Sequence, residues 1–362
     1  MVNYDPRDIP EQLAPLIRSA AGEMERLRDV PESLMSELAE AGAFSLFTPR
    51  ELGGYEVPLA TAVDVYERFG RLDVSVGWVV WNGNWGFVGA LLGEPGTNQI
   101  WKAGHPVFAN AAQPATAVSV PGGYRVSGDW KLVTGVRNAD WVITVAMVEG
   151  LPGPALFAIP RDQVTVHDTW RSSGLRGSGS NRVTVTDVFV PADLVGHDTR
   201  VRVDRPLYRG HIPALVFPGS AAVVLGAARG AVEETMDLIG DKRELPRVQS
   251  VIAQSEASVT AARLLVLSAA EAMDLAHERD EPVTMVQRAD LRAAIAHAGK
   301  ISRQVLTDMY VLGSSASTAE GSPVERLFRD GLVALQHFSM AESFFEAVGR
   351  TRFGLDPGTR LF

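Results

Sequence analysis

The hydrophobic period of this chain changes twice, and no other feature constrains its fold as strongly. Through residues 1–105 apolar positions recur every three to four residues: Leu13, Ile17 and Ala20, then Leu34, Leu38 and Ala41 behind Pro31 and Glu32. Gly53-Gly54 breaks that pattern, and a further helical run starts near Leu59. Across 106–205 the period shortens to two. Tyr124–Ser127, Trp141–Ala146 and Val164–Val166 read as strands between turn signals such as Pro121-Gly122-Gly123. Over 206–362 the helical period returns in segments 212–240, 246–279, 284–313 and 323–350. The expected class is α+β: an N-terminal helical domain, a central antiparallel β-barrel or sandwich domain, and a C-terminal four-helix bundle.

Composition narrows the function. A chain of 362 residues, 46% hydrophobic and 21% charged, can bury a sizeable core over several modules. A net charge of -9 lacks the basic footprint of a nucleic-acid binder. With no cysteine, disulfides, thiolate metal ligands and cysteine nucleophiles are excluded, and no metal site is expected. The first residues carry no signal pattern. The most apolar stretch, Ala214–Ala228, is interrupted by glycine and short for a membrane span. A cytoplasmic protein with no membrane or nucleic-acid partner is the expectation. Ala221, Ala222, Leu225, Ala228 and Ala231 form a small-residue face that suits either a plain bundle core or an oligomer contact.

Two segments invite a ligand. Ser173-Gly174-Leu175-Arg176-Gly177-Ser178-Gly179-Ser180 is a polar loop whose backbone N–H groups and hydroxyls suit an anionic or heteroaromatic ligand, although it also reads as an ordinary connection. The strand after it should turn Val183, Val185 and Phe189 inward and stop at Pro191. Trp78, Trp81 and Trp85 fall at i, i+3 and i+7, one helical face, and would serve as core packing or as a wall for a flat substrate. Gly77, Gly83, Gly86 and Gly89 would leave gaps there for a ligand.

The order of modules resembles the acyl-CoA dehydrogenase superfamily over essentially the whole chain. Three segments carry the resemblance: Gly123–Trp130 with Thr134-Gly135, Gly174–Ser180 running to Val190-Pro191, and Arg326-Leu327-Phe328-Arg329-Asp330 with His337 seven residues on. Within the superfamily the chain is most similar to the oxygenase components of two-component (group D) flavin-dependent monooxygenases. That resemblance implies a homotetramer or homodimer using reduced flavin (FMNH2 or FADH2) and O2 through a C4a-hydroperoxide. A separate flavin reductase would supply the flavin, and the product would be an oxygenated small aromatic or polycyclic metabolite. It implies Thr134 at the reactive edge of the flavin, with Gly135, Arg176, Ser178, Gly179, Ser180 and Gln249 as further flavin contacts. His337 would be a catalytic imidazole titrating near neutral pH, and Trp78, Trp81, Trp85 and Phe338 would line the substrate.

Dehydrogenases of the superfamily carry a glutamate base at one of two positions. Here the resemblance puts Phe338 at one and Ser220 at the other, and neither is a carboxylate. Several hydroxylases also carry a histidine at a position occupied by Gly86. The element around Gln249 lacks the aromatic residue of FAD-retaining relatives, and no dinucleotide fingerprint opens a helix after a strand. Two other readings stay open: an acyl-CoA or acyl-carrier dehydrogenase with FAD and a displaced base, and a non-redox scaffold subunit of the same fold.

Overall fold

A computed structural model describes residues 5–151, 153–197, 201–209, 211–359 and 361–362. The N-terminal helices are α1 (Ile9–Leu27), α2 (Glu32–Glu40), α3 (Leu59–Leu72), α4 (Val74–Gly83) and α5 (Glu94–Trp101). The strands follow: β1 (Phe108–Val120), β2 (Gly123–Val133), β3 (Trp141–Met147), β4 (Pro154–Pro160), β5 (Thr165–His167), β6 (Asn181–Pro191) and β7 (Val195–His197). The C-terminal helices are α6 (Pro206–Arg209), α7 (Ile212–Val216), α8 (Pro218–Leu238), α9 (Pro246–Glu278), α10 (Met285–Gly313), α11 (Pro323–Ala334) and α12 (Phe344–Arg352). Two compact units result. One holds residues 5–57, 79–171 and 176–209, the other 58–78, 172–175 and 211–362, so α4 and the glycine-serine loop are each divided between them.

In the first unit the seven strands form one sheet in the order β5-β6-β2-β1-β3-β4-β7. The sheet is mixed, which corrects the antiparallel expectation. β2 turns back along one edge of β1, and the next reversal sends β3 along the other edge, so β1 and β3 run parallel with Phe108 opposite Trp141. A register shift between β2 and β6 falls between Val126 and Gly128, beside Asp187 in the left-handed region at φ 52°. The extra residue flips the alternation: Val183 and Val185 point inward as expected, but beyond the bulge Val190 is the buried residue and Phe189 is exposed.

The second unit is built on close helix contact. A Cβ on Gly70 would overlap the Val223 carbonyl, and one on Gly226 would overlap the Glu67 carbonyl, so glycine on both sides lets α3 and α8 touch backbone to backbone. Asp274 of α9 accepts from the N–H groups of Leu59 (2.7 Å) and Ala60 (2.9 Å), satisfying the start of α3. Thr284 and Gln287 form a capping box on α10. Ala221, Ala222, Leu225, Ala228 and Ala231 are all buried within this unit, so the small-residue face is bundle core. Residues 212–238 are long and apolar enough to cross a membrane (mean hydropathy 1.6), and 83% of the most apolar window is buried inside the protein. The fourth expected segment, 323–350, is two helices, with His337 and Phe338 in the break between them.

Candidate functional site

In the first unit the loop after β2 meets the loop before β6. Thr134 Oγ1 lies 2.9 Å from Ser180 Oγ, which lies 2.8 Å from Ser178 Oγ, and all three side chains are buried. Three hydroxyl hydrogens serve two contacts, so one of the three is not used within the line. Gly135 donates its N–H to the Ser178 carbonyl (2.9 Å). Gly135 and Gly179 both sit in the left-handed region, at φ 68° and 54°. A Cβ on Gly179 would stand 2.5 Å from Asp29 Oδ1, a buried carboxylate that the sequence did not flag. Burial pushes the Asp29 carboxyl up to about 6, against the pull of the Arg137 guanidinium 3.8 Å away. Arg176 Nε forms an ion pair with Glu25 Oε2 at 3.4 Å.

The tryptophans are not one face. α4 stops at Gly83 because the buried Asn84 side chain ties off its end, donating to the carbonyls of Val80 and Ala43 (both 2.8 Å) and accepting from Leu46 N (2.9 Å). Trp85 therefore lies beyond the helix against Phe87, with ring centroids 5.2 Å apart, and its Nε1 is buried without a hydrogen-bond partner among the described residues. Trp81 is buried in the first unit; Trp78 belongs to the second. The neighbouring glycines are not gaps either. A side chain on Gly83 would meet Phe44, one on Gly89 would meet Leu52 and Trp101, and one on Gly77 would meet the Gly70 backbone. At Gly86, the position that the resemblance matches to a hydroxylase histidine, a Cβ would overlap Thr48 Oγ1, so Thr48 fills that space.

In the second unit a buried polar line runs through the bundle. His337 Nδ1 lies 2.7 Å from Ser339 Oγ, which lies 2.7 Å from Ser220 Oγ, which lies 2.7 Å from the Phe217 carbonyl. Only Ser220 can supply a hydrogen to that carbonyl. Ser339 must then donate to Ser220, and His337 must donate Nδ1–H to Ser339. The longer 3.4 Å approach of Ser339 N to Nδ1 does not compete with three short contacts. This fixes the tautomer and makes Nε2 the acceptor nitrogen. Burial, aided by the Arg292 charge, pushes His337 down to about 4. The imidazole is thus neutral at physiological pH, not poised near 6.5 as expected from the sequence. The Trp78 ring meets it edge-on at 5.5 Å, and Phe338, half-exposed, tilts against it at 4.5 Å.

Ser220 is part of this line and Phe338 packs on its imidazole; these are the two positions that the family resemblance assigns to a dehydrogenase's base, and neither brings a carboxylate. Glu233 pairs with Arg71 (2.7 Å) and Glu325 with Arg329 (3.0 Å). Asp330 is buried on α11 and holds the other end of the loop: its Oδ1 accepts from Leu175 N (2.8 Å), whose φ is 51°. A Cβ on Gly174 would overlap the Arg329 carbonyl, so the first half of the glycine-serine motif is a packing element on α11. Burial, with Asp73 adding repulsion, pushes the Asp330 carboxyl up to about 7. A carboxyl raised in the folded state binds its proton there at a pH where the unfolded chain has lost it. Its contribution is complete below about pH 4 and is lost as pH rises through about 7. Asp330→Asn, which keeps the acceptor for Leu175 N, is expected to lessen the fall in melting temperature between about pH 5 and about pH 8. Parallel slopes for variant and wild type would contradict this. Gln249 lies at the exposed start of α9 and donates to the Arg243 carbonyl (3.0 Å).

The Thr134 line has one hydroxyl hydrogen to spare, a donor of the kind a flavin's ring nitrogens accept. Residues 10–104 match the model of the acyl-CoA dehydrogenase N-terminal domain and residues 218–342 that of the C-terminal domain. The chain is similar to a pigment production hydroxylase of a Rhodococcus species, at 28% identity over 95% of this chain and 94% of the relative. It is similar to the oxygenase component of an FADH(2)-dependent resorcinol hydroxylase of a Rhizobium species, at 27% identity over 95% and 93%. The crystal structure of 3-HSA hydroxylase from Rhodococcus sp. RHA1 covers 100% of both chains with a TM-score of 0.93 and 25% identity. The chain belongs to the acyl-CoA dehydrogenase superfamily, and its relatives there are oxygenase components of flavin-dependent monooxygenases.

Proposed function

We infer that the protein is the oxygenase component of a two-component flavin-dependent monooxygenase acting on a small aromatic or polycyclic substrate. The observation that carries this reading is the Ser220–Ser339–His337 line: a buried imidazole tied to two hydroxyls, at the positions where a dehydrogenase needs a carboxylate base. An α-proton cannot be taken by a serine or a phenylalanine, so thioester dehydrogenation has no base there. A reduced flavin together with O2 supplies the oxygenating power when bound, and a separate reductase supplies that flavin. The roles of the chain's own residues follow from their chemistry. Thr134 sits in a hydroxyl line with a hydrogen to spare and serves as a donor to the flavin ring. Gly135, Ser178, Gly179 and Ser180 hold the backbone and hydroxyls around it, with Arg176 toward the anionic tail. His337, neutral and oriented through Nδ1, accepts a hydrogen bond at Nε2 and so positions a hydroxylated reactant. Trp78 and Phe338, which both contact the His337 ring, are the aromatic side chains beside a flat substrate held there. The family relationship carries the further expectation of a homotetramer or homodimer.

Anaerobic titration with reduced FMN and FADH2 tests the assignment of the hydroxyl line. Thr134→Val removes the hydroxyl with little change of shape, and reduced flavin is expected to bind about 5- to 10-fold more weakly, the loss of one hydrogen bond in a dry site. Unchanged affinity would remove Thr134 from the flavin contacts. A chain that purifies yellow with FAD and reduces a dye on addition of an acyl thioester would restore the dehydrogenase.

A further inference from the structure

One buried cation in the second unit acts on His337 through its charge but has no binding role in the chemistry above. Arg292, on α10, is 3% exposed, and its Nε, Nη1 and Nη2 are all without a hydrogen-bond partner among the described residues. Burial pushes its guanidinium down to about 10, and no carboxylate opposes that shift. Its contacts are aromatic: the guanidinium carbon lies 3.5 Å from the Phe344 ring centroid and 4.9 Å from that of Phe217. Cation–π contacts of this kind recover only part of what it costs to bury an unpaired ion. The two rings alone do not account for a charge in this place.

The rings also give it an address. Phe217 packs edge-on against Phe338 at 5.4 Å, and Phe338 packs on His337 at 4.5 Å. A continuous series of aromatic contacts thus joins Arg292 to the imidazole, and the Arg292 charge is felt at His337. Flat apolar faces with an unanswered planar fork of donors beside them match an aromatic molecule that bears a negative oxygen group.

We propose that Arg292 is a substrate anchor, and that the substrate of this enzyme carries an anionic oxygen group, carboxylate or phenolate, which pairs with its guanidinium. The substrate assignment rests on the oxygenase reading; the anion site itself does not. Isothermal titration of the full chain with benzoate, 4-nitrophenolate and neutral benzamide tests it, in buffer alkaline enough to ionise the phenol. At least one anion is expected to bind about tenfold or more tightly than benzamide, the equivalent of one charge-assisted bond. Preference for benzoate identifies the carboxylate, preference for nitrophenolate the phenolate. Arg292→Gln is expected to abolish the preference, Arg292→Lys to keep part of it, and Arg292→Met to leave the melting temperature unchanged or raised, since it removes an unpaired charge. No preference in the wild type, or a preference that survives Arg292→Gln, would overturn the proposal. A melting temperature lowered by several degrees in Arg292→Met, with anion binding unaltered in Arg292→Lys and Arg292→Gln, would assign Arg292 to packing instead. An anion bound through Arg292 by a chain that never oxygenates would overturn the oxygenase reading alone.

Discussion

His337→Ala is expected to lower the rate of substrate oxygenation about 10- to 100-fold while flavin oxidation continues, so that more hydrogen peroxide is released per reduced flavin. The magnitude is that of one buried hydrogen bond to a reacting group, about 1.5–3 kcal/mol. The direction follows from the line behind the ring. Ser339 Oγ accepts Nδ1–H and donates to Ser220, which donates to the Phe217 carbonyl, so the ring enters the reaction already in one tautomer and one orientation. Ser339→Ala should then reproduce part of the loss by releasing the ring, although Ser339 touches no reactant. The pH profile separates this account from ordinary histidine catalysis. With His337 held down at about 4, activity should show no histidine limb between about pH 5 and about pH 8. A wild-type limb near 6.5 that disappears in His337→Ala would show instead that the ring titrates during turnover.

The largest structural effect is expected at Gly179. Gly179→Ala places a side chain in the left-handed region, at about 1–2 kcal/mol, and against the Asp29 carboxylate, at about 1–3 kcal/mol for a clash in a packed site. The backbone there cannot easily give way. Asn181, fully buried, donates Nδ2 to the Gly179 carbonyl (3.1 Å) while its Oδ1 accepts from the N–H groups of Thr169 and Trp170 (both 3.1 Å). The variant should melt several degrees lower and lose affinity for reduced flavin, because Ser178 and Ser180 flank the altered residue. The double variant Asp29→Ala, Gly179→Ala isolates the two causes: it should regain the clash component and keep the backbone strain. Additive losses in the double variant would mean that Asp29 and Gly179 act independently.

How far the sequence carries can be judged from particular residues. The change of hydrophobic period was enough for the module order, because burial of one helix stripe or one sheet face leaves its period in the chain. The parallel β1–β3 pairing left no such mark: a strand's own alternation does not say on which side of β1 the later strand returns. Phe189 was misassigned for a related reason, since one bulge reverses the phase of everything after it. The family resemblance brought Thr134, Ser178, Ser180 and His337 forward, and the hydroxyl and imidazole lines join them to near neighbours. It could not give the protonation state of His337, which depends on burial and on Arg292 in a different helix. The tryptophan face failed because Asn84 ends α4 with side-chain bonds to Ala43 and Leu46, residues far away in sequence. The glycines around it answer Phe44, Thr48 and Leu52, so small residues there mark close packing within the protein. Arg292 did leave a signal: Ala289, Ile295 and Ala296, three and four residues away, are all buried and put it on the apolar stripe of α10.

The central claim is that this chain takes up reduced flavin and uses it with O2, and rapid mixing of the purified protein with reduced FMN or FADH2 and oxygenated buffer tests it most directly. The account predicts an absorbance transient distinct from both reduced and oxidised flavin, longer-lived with the wild type than with Thr134→Val. Flavin that oxidises in one step, at the rate seen without protein, would contradict it.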